Sequence, residues 1–123
     1  MKKKILVIDD EKAVRNSFLL TFENSPCVVE TAESGMEGLK KLQKNRYDLI
    51  VLDLKMPQMD GVETLRQIRK INPTVLVYIF TAFHRDYFIQ LDKAVKEGLS
   101  FEIVQKPLDS DQLHQLVYSI LSI

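Results

Sequence analysis

Residues 5–10 read Ile-Leu-Val-Ile-Asp-Asp, a short apolar run that stops abruptly at two acids. Runs 49–52 and 75–80 are also almost wholly apolar and rich in β-branched residues. Such runs are typical of strands that are covered on both faces, as in a parallel sheet. Two weaker candidates, 27–31 and 101–104, are predicted to be strands at the edges of the sheet.

The segments between these runs have the apolar spacing of helices. A further helix is predicted over residues 85–97, and Asp109 or Ser110 is predicted to cap the last helix. Apolar residues three or four positions apart lie on one face of a helix. The faces comprise Val14, Phe18 and Phe22; Met36, Leu39 and Leu42; Val62, Leu65 and Ile68; Phe88, Leu91, Ala94 and Val95; and Leu113, Leu116, Val117, Ile120 and Leu121.

The chain therefore alternates strand and helix five times. Right-handed crossovers fold such a chain into an open, doubly wound α/β sheet with helices on both faces, which gives three α/β/α layers. With 123 residues the sequence fits one domain, predicted over residues 1–123.

Charge and composition exclude several functions. The 17 basic and 17 acidic residues balance to a formal charge of zero, so no global field attracts a polyanion. The single cysteine, Cys27, cannot form an internal disulfide. No run approaches the roughly twenty apolar residues that a membrane span needs. We expect a cytoplasmic protein without direct nucleic-acid or membrane binding.

Acids follow two of the predicted strands. Asp9 and Asp10 end the first strand and Asp53 ends the third. Because the carboxyl ends of parallel strands share one edge, these carboxylates are predicted to meet there. Clustered carboxylates repel one another unless a cation lies among them, and hard divalent cations such as Mg²⁺ prefer oxygen ligands. The alternative is that Asp9 and Asp10 cap the first helix and Asp53 caps a turn.

Two further polar residues follow the last two strands. Thr81 ends the fourth strand, and Lys106 follows the fifth. A lysine ammonium can neutralise a carboxylate or a phosphoryl group, and a threonine hydroxyl can donate to a phosphoryl oxygen. Taken separately, Thr81 fits an ordinary strand residue and Lys106 a surface turn. Together with the three acids they predict a pocket for Mg²⁺ and a phosphoryl group.

Five short motifs occur in order along the chain. They are residues 5–11 (Ile-Leu-Val-Ile-Asp-Asp-Glu), 48–57 (Asp-Leu-Ile-Val-Leu-Asp-Leu-Lys-Met-Pro), 59–61 (Met-Asp-Gly), 81–82 (Thr-Ala) and 106–107 (Lys-Pro). In these motifs the sequence resembles a response regulator receiver domain, the phosphorylation switch of two-component signalling, of the chemotaxis-regulator type. The resemblance runs over the whole chain and implies a five-stranded parallel sheet in the order 2-1-3-4-5 with five helices.

The resemblance also implies roles. Asp53 would accept a phosphoryl group from a histidine kinase or a histidine phosphotransfer protein. Asp10, Asp53 and the backbone carbonyl of Lys55 would bind Mg²⁺ or Mn²⁺, with Asp9 helping directly or through water. Thr81 would bind the phosphoryl group and Lys106 would pair with it. Output would pass to a partner protein or domain, or to a homodimer formed through helix 4, strand 5 and helix 5. The chain would be a signalling protein that catalyses only its own phosphorylation and dephosphorylation.

The sequence departs from the family at the switch position. Receivers usually carry Tyr or Phe three residues before the conserved lysine, where this chain has Ile103, and Phe101 lies two residues earlier. We expect output to rely on the Thr81 loop and the fourth helix. Phe83 is a candidate gate against the hydrolytic water or simply a loop aromatic, and the resemblance implies a cis Lys106–Pro107 bond.

Three other functions are compatible with an α/β sheet. A haloacid-dehalogenase-like phosphatase has a second Asp two residues after its nucleophile, where this chain has Lys55. A flavodoxin-like carrier needs a Ser-, Thr- or Gly-rich phosphate loop after the first strand, where residues 9–11 are acidic. A receiver-like module that only binds protein would not need all five pocket residues.

Overall fold

A computed structural model of the chain describes residues 2–56, 58–82, 84–106 and 108–123. Strands and helices alternate along the described chain, as predicted. The elements are β1 (Lys3–Ile8), α1 (Lys12–Thr21), β2 (Cys27–Ala32), α2 (Gly35–Lys44), β3 (Leu49–Leu52), α3 (Gly61–Ile71), β4 (Leu76–Thr81), a 3₁₀ turn (His84–Tyr87), α4 (Phe88–Lys96), β5 (Glu102–Gln105) and α5 (Ser110–Leu121).

The five strands form one parallel sheet in the order β2-β1-β3-β4-β5, which confirms the predicted topology and the two edge strands. Its register aligns the strand ends: Ile8 pairs with Leu52, and Leu52 pairs with Ile79. The residues that follow β1 and β3 therefore emerge side by side at one edge.

The core lies on both faces of the sheet. Successive residues of β1 alternate between the faces, so Leu6 and Ile8 belong to one buried cluster and Ile5 and Val7 to the other. The first cluster receives side chains from α2, α3 and α4, and the second from α1 and α5. These three layers explain why β1 and β3 are apolar on both faces.

The region around α4 differs from the prediction in detail. The predicted helix 85–97 begins as a 3₁₀ turn and is α-helical only from Phe88 to Lys96. Leu91 and Ala94 are buried, whereas Phe88 is 68% exposed and Val95 is 61% exposed. The helix contacts the core along a narrow stripe, so its wider apolar pattern overstated the buried face.

Two arginines of α3 tie it to the C-terminal end of α4 and the loop beyond. Arg66 forms a forked pair with Glu97, with Nε–Oε1 and Nη2–Oε2 distances of 3.1 Å. Arg69 donates from Nη2 to the carbonyl of Ser100 at 2.7 Å and from Nη1 to that of Val75 at 2.6 Å. Exposed ion pairs stabilise little one by one, but these contacts form a network.

Along the parts of the chain that the structure describes, no helix is long and apolar enough to cross a bilayer.

Candidate functional site

The three predicted carboxylates meet at the C-terminal edge of the sheet. Asp9 is 3% exposed and Asp53 is 5% exposed, whereas Asp10 is exposed at the mouth of the site. One carboxylate oxygen from each lies within 4.8 Å of the others. Three acids at that spacing repel one another in a partly buried setting. An all-oxygen group of this kind fits a hard divalent cation.

Lys106 supplies a cation from the other side of the site. Its backbone N–H donates to the carbonyl of Thr81 at 3.0 Å, which joins the end of β5 to the end of β4. Its Nζ lies 3.1 Å from Oδ2 of Asp9 and 3.6 Å from Oδ1 of Asp53. The structure therefore brings Lys106 and the acids together, as the sequence predicted, although 97 positions separate Asp9 from Lys106.

The charged groups of the site shift one another's pKa values. Burial, and then repulsion by Asp9, raise the pKa of Asp53 to about 6, and the attraction of Lys106 offsets this only in part. Burial disfavours the charged form of Lys106, but the combined attraction of Asp53 and Asp9 outweighs it, so the pKa of Lys106 lies above its ordinary value. The site therefore carries excess negative charge that a further cation would relieve.

The alternative that Asp9 and Asp10 cap α1 is answered by the geometry. Glu11 is the N-cap residue of α1 and makes no capping bond with its side chain. Oδ1 of Asp9 accepts a hydrogen bond from the Glu11 N–H at 3.0 Å, which supports the turn into the helix. Oδ2 of the same carboxylate accepts from Lys106. Asp9 therefore serves both the turn and the site.

An open cleft of about 420 Å³ lies over the acids. Thr81, fully buried, ends β4 beside it, and Ala82 follows on its wall. Lys55 also lines the cleft, so a lysine stands where a dehalogenase-like phosphatase has its second acid. The cleft is lined by Asp10, Glu11, Asp53, Lys55, Ala82 and Lys106.

The loop after Asp53 is held by a close backbone contact that sequence reasoning missed. Gly61 donates its N–H to the carbonyl of Leu54 at 2.9 Å. A Cβ on Gly61 would lie 2.3 Å from the Asp53 carbonyl oxygen and 2.6 Å from Cα of Leu54. The neighbouring Asp60 caps α3 by accepting from the Glu63 N–H at 2.9 Å. Gly61 after a helix cap was the available signal, since glycine permits close backbone approach.

We expect Gly61→Ala to displace the backbone of Asp53 and to lower both the affinity for Mn²⁺ and the rate of phosphorylation by acetyl phosphate. The control is Gly98→Ala. Position 98 has φ +84° and open space around it, so an alanine there would strain only its own backbone. That control is expected to lose roughly 1 kcal/mol of stability and to keep the affinity for Mn²⁺. Equal metal affinity in both variants would contradict the prediction.

Residues near the switch position differ in how deeply they are buried. Ile103 lies on edge strand β5 and is 42% exposed, so it is not packed into the core. Phe101 and Tyr87 are partly buried against the core cluster on the α2, α3 and α4 side. Of the adjacent aromatic residues Tyr87 and Phe88, only Tyr87 packs against the core, since Phe88 is exposed to solvent. Phe83 and Pro107 lie outside the described residues, and the Phe83 gate and the cis bond stay predictions.

The fold and the site together define a class. The chain belongs to the response regulator receiver domain family, whose model matches residues 5–118. It is 32% identical over 121 residues to sporulation initiation phosphotransferase F of Bacillus subtilis (strain 168), a match that covers 98% of this chain and 95% of that protein.

Two further relatives extend the comparison. The transcriptional regulatory protein GlrR of Escherichia coli (strain K12) is 34% identical over 113 residues, which is 92% of this chain but 25% of GlrR. The chain thus spans about a quarter of that relative. The crystal structure of a CheY-like receiver domain protein from Methanospirillum hungatei JF-1 superposes with a TM-score of 0.86 at 25% identity, covering 99% of this chain and 95% of that one.

Proposed function

We propose that residues 1–123 form a phosphoacceptor receiver of a two-component phosphorelay, in which Asp53 accepts a phosphoryl group from a histidine kinase or a histidine phosphotransfer protein. The observation that carries the proposal is the placement of the buried Asp53 carboxylate within 4.8 Å of Asp9 and Asp10, with Lys106 Nζ at 3.6 Å. This arrangement is what phosphoryl transfer to a carboxylate needs, because the reaction depends on positioning and charge neutralisation.

The residues present fit a divalent metal ion. Asp10, Asp53 and the backbone carbonyl of Lys55 would hold Mg²⁺ or Mn²⁺ through oxygen atoms alone, with Asp9 helping directly or through water. The three carboxylates lie close enough together to share one ion. The bound ion supplies positive charge to the oxygens of the incoming phosphoryl group. The excess negative charge of the three acids is the structural reason for expecting it.

The protein's own groups supply the rest of the chemistry. An oxygen of the Asp53 carboxylate forms the bond to phosphorus while the bond from phosphorus to the donor histidine nitrogen breaks. The Lys106 ammonium, which pairs with the carboxylates before the reaction, pairs with the phosphoryl oxygens after it. The Thr81 hydroxyl donates a hydrogen bond to one of these oxygens. The product is an aspartyl phosphate, and its later hydrolysis returns Asp53.

Output is proposed to reach a partner protein, a further domain or a second copy of the chain through the face formed by α4, β5 and α5. Apolar side chains already stand exposed on α4 and β5, where they cannot contribute to the core. They are Phe88 (68% exposed), Ile89 (79%), Val95 (61%) and Ile103 (42%). Neutral net charge agrees with a protein partner rather than with direct nucleic-acid binding.

The proposal is tested by incubating the protein with acetyl phosphate, or with beryllofluoride, in the presence of Mg²⁺. We expect acetyl phosphate to add one phosphoryl group, which intact mass detects and peptide mapping places on Asp53. Size-exclusion chromatography with either reagent reports any change in oligomeric state. EDTA is expected to prevent the modification. A wild-type protein that neither binds Mg²⁺ nor gains mass would instead support a module that only binds protein.

Ile103 is predicted not to be the switch. Receivers usually carry Tyr or Phe at this position, and Ile103 has no aromatic ring that could turn inward when the Thr81 loop moves. An Ile103→Ala variant is therefore expected to keep the phosphorylation-dependent change in oligomeric state or partner binding, measured by size-exclusion chromatography with and without beryllofluoride. Loss of that change, with Asp53 still modified, would show that Ile103 transmits the signal.

A further inference from the structure

Arg15 is a buried cation on α1 next to the acidic site. It is 9% exposed, and of the residues in α1 only it and Phe18 are buried. Burying a guanidinium is costly unless it is paired and hydrogen-bonded, so its partners are informative. Nη1 donates to the backbone carbonyl of Asp9 at 2.9 Å, and Nη2 lies 3.4 Å from Oε1 of Glu33. Because the Glu33 side chain is 72% exposed, the Asp9 carbonyl is the main buried partner.

With Arg15 in place, each polar group of Asp9 has a partner. Its N–H donates to the carbonyl of Ala32 at 3.1 Å, and its two carboxylate oxygens accept from the Glu11 N–H and from Lys106. Arg15 occupies the remaining group, the carbonyl. Asp9 is therefore fixed from four directions, and one of those four contacts depends on Arg15.

The Asp9 carbonyl belongs to the peptide bond that leads into Asp10. Without the guanidinium this buried carbonyl would lose its hydrogen-bond donor. Because an unpaired buried carbonyl is costly in free energy, we expect the peptide plane to rotate toward another donor. Turning the peptide changes ψ of Asp9 and φ of Asp10, the dihedrals that direct the Asp10 carboxylate. Asp10 is exposed, so packing would not return it to the other two acids.

We propose that Arg15 is a positioning residue for the divalent metal ion, holding the Asp9–Asp10 peptide so that the three carboxylates are arranged before the ion binds. The inference rests on the proposed function, since it concerns the same metal site. Residues that orient metal ligands from outside typically change metal affinity by roughly 10- to 100-fold when they are replaced.

The test measures Mn²⁺ binding to the unphosphorylated protein by the electron paramagnetic resonance signal of the free ion. We expect Arg15→Met to weaken Mn²⁺ binding about tenfold or more. Arg15→Gln, which keeps a polar but shorter and neutral head, is expected to weaken it as well and decides the matter if Arg15→Met does not fold. Glu33→Gln is the matched control, because it removes the charge of the outer partner of Arg15 and leaves the Asp9 contact. The affinity of this variant for Mn²⁺ is expected to equal that of the wild type.

Thermal unfolding of the same variants separates positioning from a purely structural role. A structural role predicts a lower melting temperature with wild-type Mn²⁺ affinity in every folded Arg15 variant, and that result would overturn the inference. If the wild type binds Mn²⁺ and is phosphorylated while the Arg15 variants bind equally well, only this inference fails. If the wild type neither binds Mn²⁺ nor gains a phosphoryl group, the proposed function fails.

Discussion

Asp53→Asn is expected to abolish phosphoryl acceptance and, in metal-free buffer at pH 8, to make the protein more stable than the wild type by roughly 2 to 3 kcal/mol. The two effects have one origin. The carboxylate that reacts is also a buried charge next to two other acids. Its replacement by a neutral amide of similar shape removes the nucleophile, the cost of burying a charge and the repulsion by the neighbouring acids.

The raised pKa of Asp53 determines whether the stability of the protein rises or falls with pH. The folded pKa of Asp53 is about 6 and its ordinary value is 3.8, so the folded state binds more protons than the unfolded state between these two values. Stability of the wild type therefore falls as pH rises from about 4 to about 6, and the full penalty is present above the folded pKa. Asp53→Asn lacks this loss, so the two proteins should be similar in stability at pH 4 and differ most at pH 8.

Urea unfolding in EDTA from pH 4 to pH 8 measures the difference, and mass spectrometry after acetyl phosphate and Mg²⁺ measures acceptance. Asp92→Asn is the matched control, because Asp92 pairs with Lys96 on the surface at 3.0 Å. That control is expected to be phosphorylated normally and to change stability by about 0.5 kcal/mol or less. A less stable Asp53→Asn at pH 8 would mean that the buried charge of Asp53 does not destabilise the fold.

Lys106→Met is expected to destabilise the metal-free protein at pH 8 by roughly 3 kcal/mol and to slow phosphorylation strongly. Lys106 is the ammonium that both Asp9 and Asp53 face, at 3.1 Å and 3.6 Å. Its removal leaves two buried carboxylates with less compensation, so the pKa of Asp53 should rise further. The stability defect should therefore shrink at pH 5, where Asp53 is protonated, and shrink when Mg²⁺ is added.

Lys96→Met serves as the control for Lys106→Met, since Lys96 is 77% exposed and its ion pair with Asp92 is screened by solvent. Its unfolding free energy should stay close to that of the wild type at every pH. If added Mg²⁺ left the defect of Lys106→Met unchanged, the lysine would be stabilising the fold by packing rather than by charge.

The sequence could predict the site because parallel strands end at one edge. Apolar runs located β1 and β3, and the acids that follow them needed only the sheet topology to be placed together. The same argument predicted that Thr81 and Lys106, which follow the last two strands, lie at the same edge of the sheet. No side-chain geometry was required for any of these inferences.

Other features could not be predicted because they depend on atomic contacts. The apolar pattern of residues 85–97 indicated one helix but not its 3₁₀ start, since a short contact stripe and a wide one look alike in sequence. Arg15 looks like an ordinary surface residue of α1 until the structure shows its guanidinium on a backbone carbonyl. The close approach of Gly61 to the Asp53 backbone likewise appears only when the loop between β3 and α3 is folded.

Arg66 and Arg69 hold the C-terminal end of α4 and the loop beyond it to α3, so we expect α4 to pivot about that end. Its C-terminal end is held to α3 through Glu97 and Ser100, whereas its N-terminal end follows the loop after Thr81. At 1.5 Å per residue α4 is about 13 Å long, so a tilt of the helix by about 10° moves its N-terminal end by roughly 2 Å. We therefore expect a shift of the loop after Thr81 to be passed to the N-terminal end of α4, where the ring of Phe88 is exposed.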